Sequence, residues 1–264
     1  MNSLELPLVI FTIFSQAAIG LVLISSIRQY AAQGPSGNIR AEWITAAVIL
    51  AAGLGASLFH LGHPLGAVNA VKHIGTAWLS REAAGISAVL IVIVLGAVTV
   101  RDKVSPGLAA AGILLGLLAI FFTGMTYAPP GFPAVNNGLP FVMFLLTAVI
   151  MGAALASYFS PREKMQLITM ILGAGLLVSL VIHLVIPCVW LSGDTVTQAT
   201  GYAYLSSPLY WGRIIIGLAV PLGALWSFKS IPGWIPLLIL AGELMGRTAF
   251  FALTIHASTN IGGI

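Results

Sequence analysis

Apolar residues fill this chain in runs of about twenty, separated by short polar breaks. A hydrocarbon core about 30 Å thick needs about 20 apolar residues per helix. Eight segments meet that length: 6–27, 43–62, 83–100, 107–127, 139–159, 165–190, 210–228 and 235–256. The breaks hold Pro, Gly or charge, as in Gly34-Pro35-Ser36-Gly37, Arg101-Asp102-Lys103, Pro129-Pro130-Gly131 and Ser160-Pro161-Arg162. The third and fourth segments have the least distinct bounds. The pattern predicts an all-α integral membrane protein, residues 1–264 forming one transmembrane domain of eight helices.

Composition agrees. Of 264 residues, 59% are hydrophobic and 7% charged, with a mean hydropathy of +1.04. A soluble domain is about a quarter charged, so this sequence cannot cover a water-facing surface and its solvent is lipid. The net charge of +4 does not point to nucleic acid, because the eleven Lys and Arg are scattered between apolar runs. The N-terminal Met-Asn-Ser-Leu-Glu lacks the basic stretch of a signal peptide, and the first apolar run is expected to be kept as a helix. Cys188 is the only cysteine, which excludes an internal disulfide and an iron–sulfur cluster held by this protein alone. A metal redox centre would have to come with a partner.

Charge also gives a direction. Alternate loops, starting with the first, carry Arg28, Arg40, Arg101, Lys103, Arg162, Lys164 and Lys229; the other set carries only Lys72 and Arg81. By the positive-inside rule both termini lie outside the cytoplasm. All five histidines then fall in the outer half or outer loops. His60 and His63 close the second segment, His73 and Glu82 follow it, His183 lies in the outer part of the sixth, and His256 ends the eighth. His60-Leu61-Gly62-His63-Pro64 and His183-Leu184-Val185-Ile186-Pro187 occupy matching places if the fold is two four-helix bundles in the same orientation.

Two readings stand for each candidate. His60 either exchanges a proton and binds a ligand oxygen or caps a helix end; His63 reads as solvated and structural. Glu82 is either a proton acceptor in the same outer pocket or a first-turn charge behind an N-cap at Ser80. Glu243 and Arg247, four residues apart, share a helix face and pair with each other, structurally or around a ligand. Gly242 and Gly246 on that helix admit a close neighbour. Arg213, beside Tyr210 and Trp211, reads as an interfacial anchor. The uncharged segment from Ala128 and the polar, aromatic one from Leu191 through Asp194, Tyr202 and Tyr204 to Pro208 read as outer loops forming a platform for a protein or for lipid headgroups.

Several motifs in order resemble the membrane anchor subunit of the bacterial dimethyl sulfoxide reductase family. They are Pro7-Leu8-Val9-Ile10-Phe11-Thr12 with Gln16, Phe59-His60-Leu61-Gly62-x-Pro64, Leu79-Ser80-x-Glu82 and Gly242-Glu243-x-x-Gly246-Arg247. The resemblance implies a haem-free anchor in the bacterial inner membrane that binds and oxidises menaquinol in anaerobic respiration. It further implies electron transfer to an iron–sulfur subunit and on to a molybdopterin catalytic subunit. It places the quinol-site histidine at His60 and a second site residue at Glu82. The positions of His63, His183, Arg213, Glu243 and Arg247 make them further binding candidates on the residues' own reading, and the choice between His60 and His63 stays open. The histidine positions leave three alternatives: a subunit with one haem b on two of His60, His183 and His256; an ion or small-molecule transporter using Glu243 and Arg247; and a passive anchor.

Overall fold

The computed structural model describes residues 5–31, 35–59 and 71–259. Its eight membrane-spanning rods are α1 (Glu5–Ala31), α2 (Ile39–Leu58), α3 (Trp78–Thr99), α4 (Pro106–Thr126), α5 (Leu139–Ala156), α6 (Arg162–Leu191), a span built of α8 (Pro208–Ile214) and α9 (Val220–Phe228), and α10 (Ile235–Leu253). Between α6 and α8 lies α7 (Thr195–Ser206), too short to cross. There is no strand among the described residues. The all-α, eight-span architecture is the one predicted.

The helix α1 is the hub: 83% of its apolar stretch is buried, and it packs on α2, α4, α5 and α10. One ring of contacts runs α1–α2–α3–α4, and a second joins α5, α6, α8–α9 and α10. The seam between them is the α1–α5 crossing. There Gly20 lies against the Ala148 backbone and Gly152 against Gly20, and a Cβ on either glycine would overlap its neighbour's main chain. Such contacts pack helices where lipid gives no hydrophobic drive. The outward faces stay aliphatic, as with Ile91, Val94, Leu95 and Val98 on α3 and Val178, Val181 and Val185 on α6.

Local chemistry moves several predicted boundaries. The helix α2 starts at Ile39, because Asn38 caps it by accepting from the Ala41 N–H and because Glu42 is buried in an ion pair with Arg28, 2.6 Å apart. Arg28 and Lys164, counted above as loop charges, are buried helical residues, with Lys164 Nζ donating to the Arg28 carbonyl at 3.3 Å. The helix α3 begins at Trp78 after Ala77, which has no side-chain group to cap it, so Ser80 is a buried first-turn residue and not the N-cap. The helix α10 stops at Leu253, leaving His256 beyond it.

The segment expected as a loop at 191–208 instead contains α7, which packs on α6. Asp194 caps it, accepting from the Thr197 N–H at 2.8 Å, and Tyr204 packs edge-on against Trp190 and Tyr210. The loop after α4 folds over the same end of the bundle, where the Trp190 indole donates to the Ala134 carbonyl at 2.8 Å. The Thr197 N–H bond holds the exposed Asp194 carboxyl below its ordinary value. A depressed folded pKa gives a contribution that is full above the unfolded value and lost as pH falls through the folded one. The protection factors over 195–206, compared with those of the rest of the bundle, should therefore be unchanged from pH 7 to 5 and fall below about pH 3.9. Asp194→Asn should remove that acid dependence; its persistence would assign the effect elsewhere.

Prolines shape the two spans nearest the site. Pro187 lies within α6 and has no N–H for the His183 carbonyl four residues back. The Tyr210 hydroxyl takes that carbonyl at 2.6 Å, tying α6 to α8. Pro221 likewise cannot donate to the Gly217 carbonyl, and the helix widens to π pitch over Ile215–Ala219, with the Val220 N–H on the Ile215 carbonyl. Gly217 in that wide turn meets Gly242 of α10, backbone to backbone. The close approach expected of the glycines on this helix thus occurs at Gly242; Gly246 instead receives the aliphatic stem of Arg213.

Candidate functional site

A polar cluster lies inside the bundle, from mid-depth toward the end that carries α7. Arg213 from α8 pairs with Glu243 of α10 at 2.7 Å, both nearly fully buried. Thr147 of α5 donates to the other Glu243 oxygen at 2.9 Å and accepts from Arg247 Nη2 at 3.2 Å. Arg247 also donates to Gln16 Oε1 of α1 at 2.7 Å, and its guanidinium lies over the Phe144 ring, 3.8 Å from the centroid. Arg213 reaches Ser179 of α6 at 3.4 Å. His183, one turn on, binds the Ser179 carbonyl through Nδ1 at 2.7 Å. A backbone carbonyl only accepts, so Nδ1 carries the proton.

Two expectations are corrected here. Glu243 and Arg247 do not form the i, i+4 ion pair: Gly217 and Gly242 bring α8 close enough for Arg213 to take the carboxylate, and Arg247 turns to Gln16, Thr147 and Phe144. Arg213 is accordingly not an interfacial anchor, being 3% exposed. Sequence reasoning also passed over Thr147 and Ser179, which have no charge to stand out in an apolar run, and noted Tyr210 only as a neighbour of Arg213.

A cavity of about 20 Å³ opens within the cluster, lined by Thr147, His183, Arg213, Glu243 and Arg247 with Phe144 and Phe250 among its apolar walls. Phe250 also bounds a second cavity, of about 90 Å³, lined mostly by aromatic and apolar side chains: Tyr127, Phe132 and Phe251, with Thr126 and Thr254 supplying hydroxyls. The Tyr127 ring meets Phe144 and Phe251 edge-on, which joins the two cavities through one aromatic layer.

Glu82 sits one turn into α3, 3% exposed, facing Thr123 and Thr126 of α4. Neither carboxylate oxygen has a hydrogen-bond partner of normal geometry among the described residues. Glu82 is thus a buried carboxylate near the start of α3, and the cap at Ser80 that its alternative reading assumed is absent. Thr126 stands beside Glu82 and lines the larger cavity, so the carboxylate and the aromatic slot share a wall. His60 and His63 lie outside the described residues. His256 packs edge-on against Phe132 and bonds Ser258, exposed at the bundle end, while His73 is exposed in the segment before α3.

Comparison with known proteins agrees with the architecture. The sequence model of the family "DMSO reductase anchor subunit (DmsC)" matches residues 1–253. The protein is 28% identical to the YnfH polypeptide of the anaerobic dimethyl sulfoxide reductase of Escherichia coli K12, over 98% of both sequences. It is 25% identical to the C subunit of the anaerobic dimethyl sulfoxide reductase of Haemophilus influenzae, again over 98% of both. It is 27% identical to the C subunit of the anaerobic dimethyl sulfoxide reductase of Escherichia coli K12, over 94% of each. The protein belongs to the DMSO reductase anchor subunit family.

Proposed function

We propose that this membrane anchor binds and oxidises menaquinol at the α7 end of the bundle and passes the electrons to an iron–sulfur partner. The observation that carries the reading is Glu82, a buried carboxylate with both oxygens unpartnered among the described residues, set against an aromatic slot. An unpaired carboxylate in that setting is costly to fold and fits a ligand that donates a hydroxyl hydrogen. At about 90 Å³ the slot is smaller than the ~150 Å³ cavity that binds benzene, so in this form it admits one edge of a bicyclic ring. Menaquinol on oxidation supplies two electrons and two protons; the protein contributes position and proton acceptance. Glu82 accepts from the hydroxyl, and His60, two residues beyond the end of α2, takes the proton onward.

The cations at the two bundle ends support an orientation with the α7 end outside. Arg40, Arg101, Lys103, Arg162 and Lys229 project at the opposite end, against Lys72 and Arg81 at this one. In a bacterial inner membrane this puts both termini, the quinol site and the α7 platform on the periplasmic side. There an iron–sulfur subunit docks and feeds a molybdopterin catalytic subunit, with no haem in the anchor.

The test uses the native complex purified in mild detergent. Glu82→Gln should lower menaquinol-driven acceptor reduction roughly ten- to a hundredfold, matching a lost charge-assisted hydrogen bond, and leave dye-driven reduction intact. Equal rates in variant and wild type would remove Glu82 from the site. His60→Ala should depress the same rate and His63→Ala should not; the reverse result would assign the role to His63.

A further inference from the structure

The 20 Å³ cavity brings together polar atoms that the protein leaves without partners. Arg213 Nη1, Arg247 Nη1 and Glu243 Oε1 are each buried with no hydrogen-bond partner among the described residues, and all three residues line the cavity. Glu243 Oε1 stands 2.7 Å from Arg213 Nη2, an ion pair by distance, yet no N–H lies along its axis. Two of the three atoms can only donate and the third can only accept. His183, with Nδ1 committed to the Ser179 carbonyl, has Nε2 as its remaining polar atom.

We propose that this cavity is a built site for one hydroxyl group, which accepts from Arg213 Nη1 and Arg247 Nη1 and donates to Glu243 Oε1. The donor and acceptor mix selects that chemistry. A halide or a carboxylate would satisfy the two guanidinium groups but stand against Glu243, and an ammonium would do the reverse. Size selects it as well, since one water needs ~10–15 Å³, and nothing larger than a single oxygen with its hydrogens fits.

Two sources carry such a group. One is a resident water, whose second hydrogen goes to His183 Nε2. The other is the phenolic hydroxyl of a ring seated in the aromatic slot, because Phe250 lines both cavities. The second source rests on the menaquinol reading; the first does not.

The experiment is density for the intact detergent-purified complex at a resolution that shows waters, without quinol and with menadiol as the probe. Without quinol, one oxygen-sized peak is expected within about 3.2 Å of the three unpartnered atoms. If that peak persists when menadiol is bound, the site belongs to water. If it is replaced by an oxygen continuous with ring density past Phe250, the site holds the quinol hydroxyl. No peak under either condition overturns the proposal, and so does an anomalous signal there after bromide replaces chloride. The quinol-free map is read independently of turnover, so a failure of the menaquinol reading leaves the water arm standing.

Discussion

Arg213→Ala is expected to destabilise the protein by about 3–5 kcal/mol, the usual result of removing one partner from a buried ion pair. Glu243 is nearly fully buried in the middle of α10, where a single cavity water cannot supply the charge of the guanidinium. The remaining bond from Thr147, 2.9 Å away, is a neutral donor and cannot offset the carboxylate's desolvation. The loss should appear as a lower melting temperature in detergent and as depleted protein in the membrane fraction. Arg213→Ala with Glu243→Gln should recover most of it, because the stranded charge is gone. Arg247→Ala is the contrasting case. It removes a charged hydrogen bond to Gln16 and a stack on Phe144, each worth about 1–3 kcal/mol, but leaves Glu243 paired. Rescue of Arg247→Ala, and not of Arg213→Ala, by Glu243→Gln would show that Arg247, after all, neutralises Glu243.

Gly152→Val should be at least as damaging, at about 3 kcal/mol or more. A side chain there overlaps the Gly20 main chain across the α1–α5 seam. In most overpacked sites a flexible neighbour can yield, whereas here the neighbour is backbone, and α1 is held on its other sides by α2, α4 and α10. The two rings of helices would have to part. Membrane abundance and melting temperature should both fall, while Gly55→Ala, which meets nothing within 4 Å, should leave both as they were or raise them slightly. Normal accumulation of Gly152→Val would show that the seam is looser than its geometry.

The fold was largely legible because lipid imposes a length and a polarity that survive in the raw pattern. Where the reading failed, tertiary contacts overrode local spacing. Glu243 and Arg247 offer themselves as a pair on one helix, but the partner that wins is Arg213, far upstream on another element and admitted by two glycines. The α7 helix was hidden because its inward face is made of Tyr204 and Thr200, a composition that alone suggests a loop; the Asp194–Thr197 cap was its one local signal. Glu82 could be picked out as a charge at a helix start, but not as a buried one. That follows from Thr123 and Thr126 on the next helix. Thr147 could not be picked out at all, since a lone threonine in an apolar helix more often bonds its own backbone, as it also does here with the Met143 carbonyl.

The central position of α1 has a consequence in time. Gln16 lies near the middle of the first span and is buried, and the guanidinium that takes its oxygen belongs to a residue 231 positions later. At a synthesis rate of roughly 5–20 residues per second, that partner emerges about 10–50 s after Gln16. Through that interval the hub of the bundle sits in the bilayer with its amide exposed to lipid or to whatever chaperones the insertion site. The last helix is what closes the first.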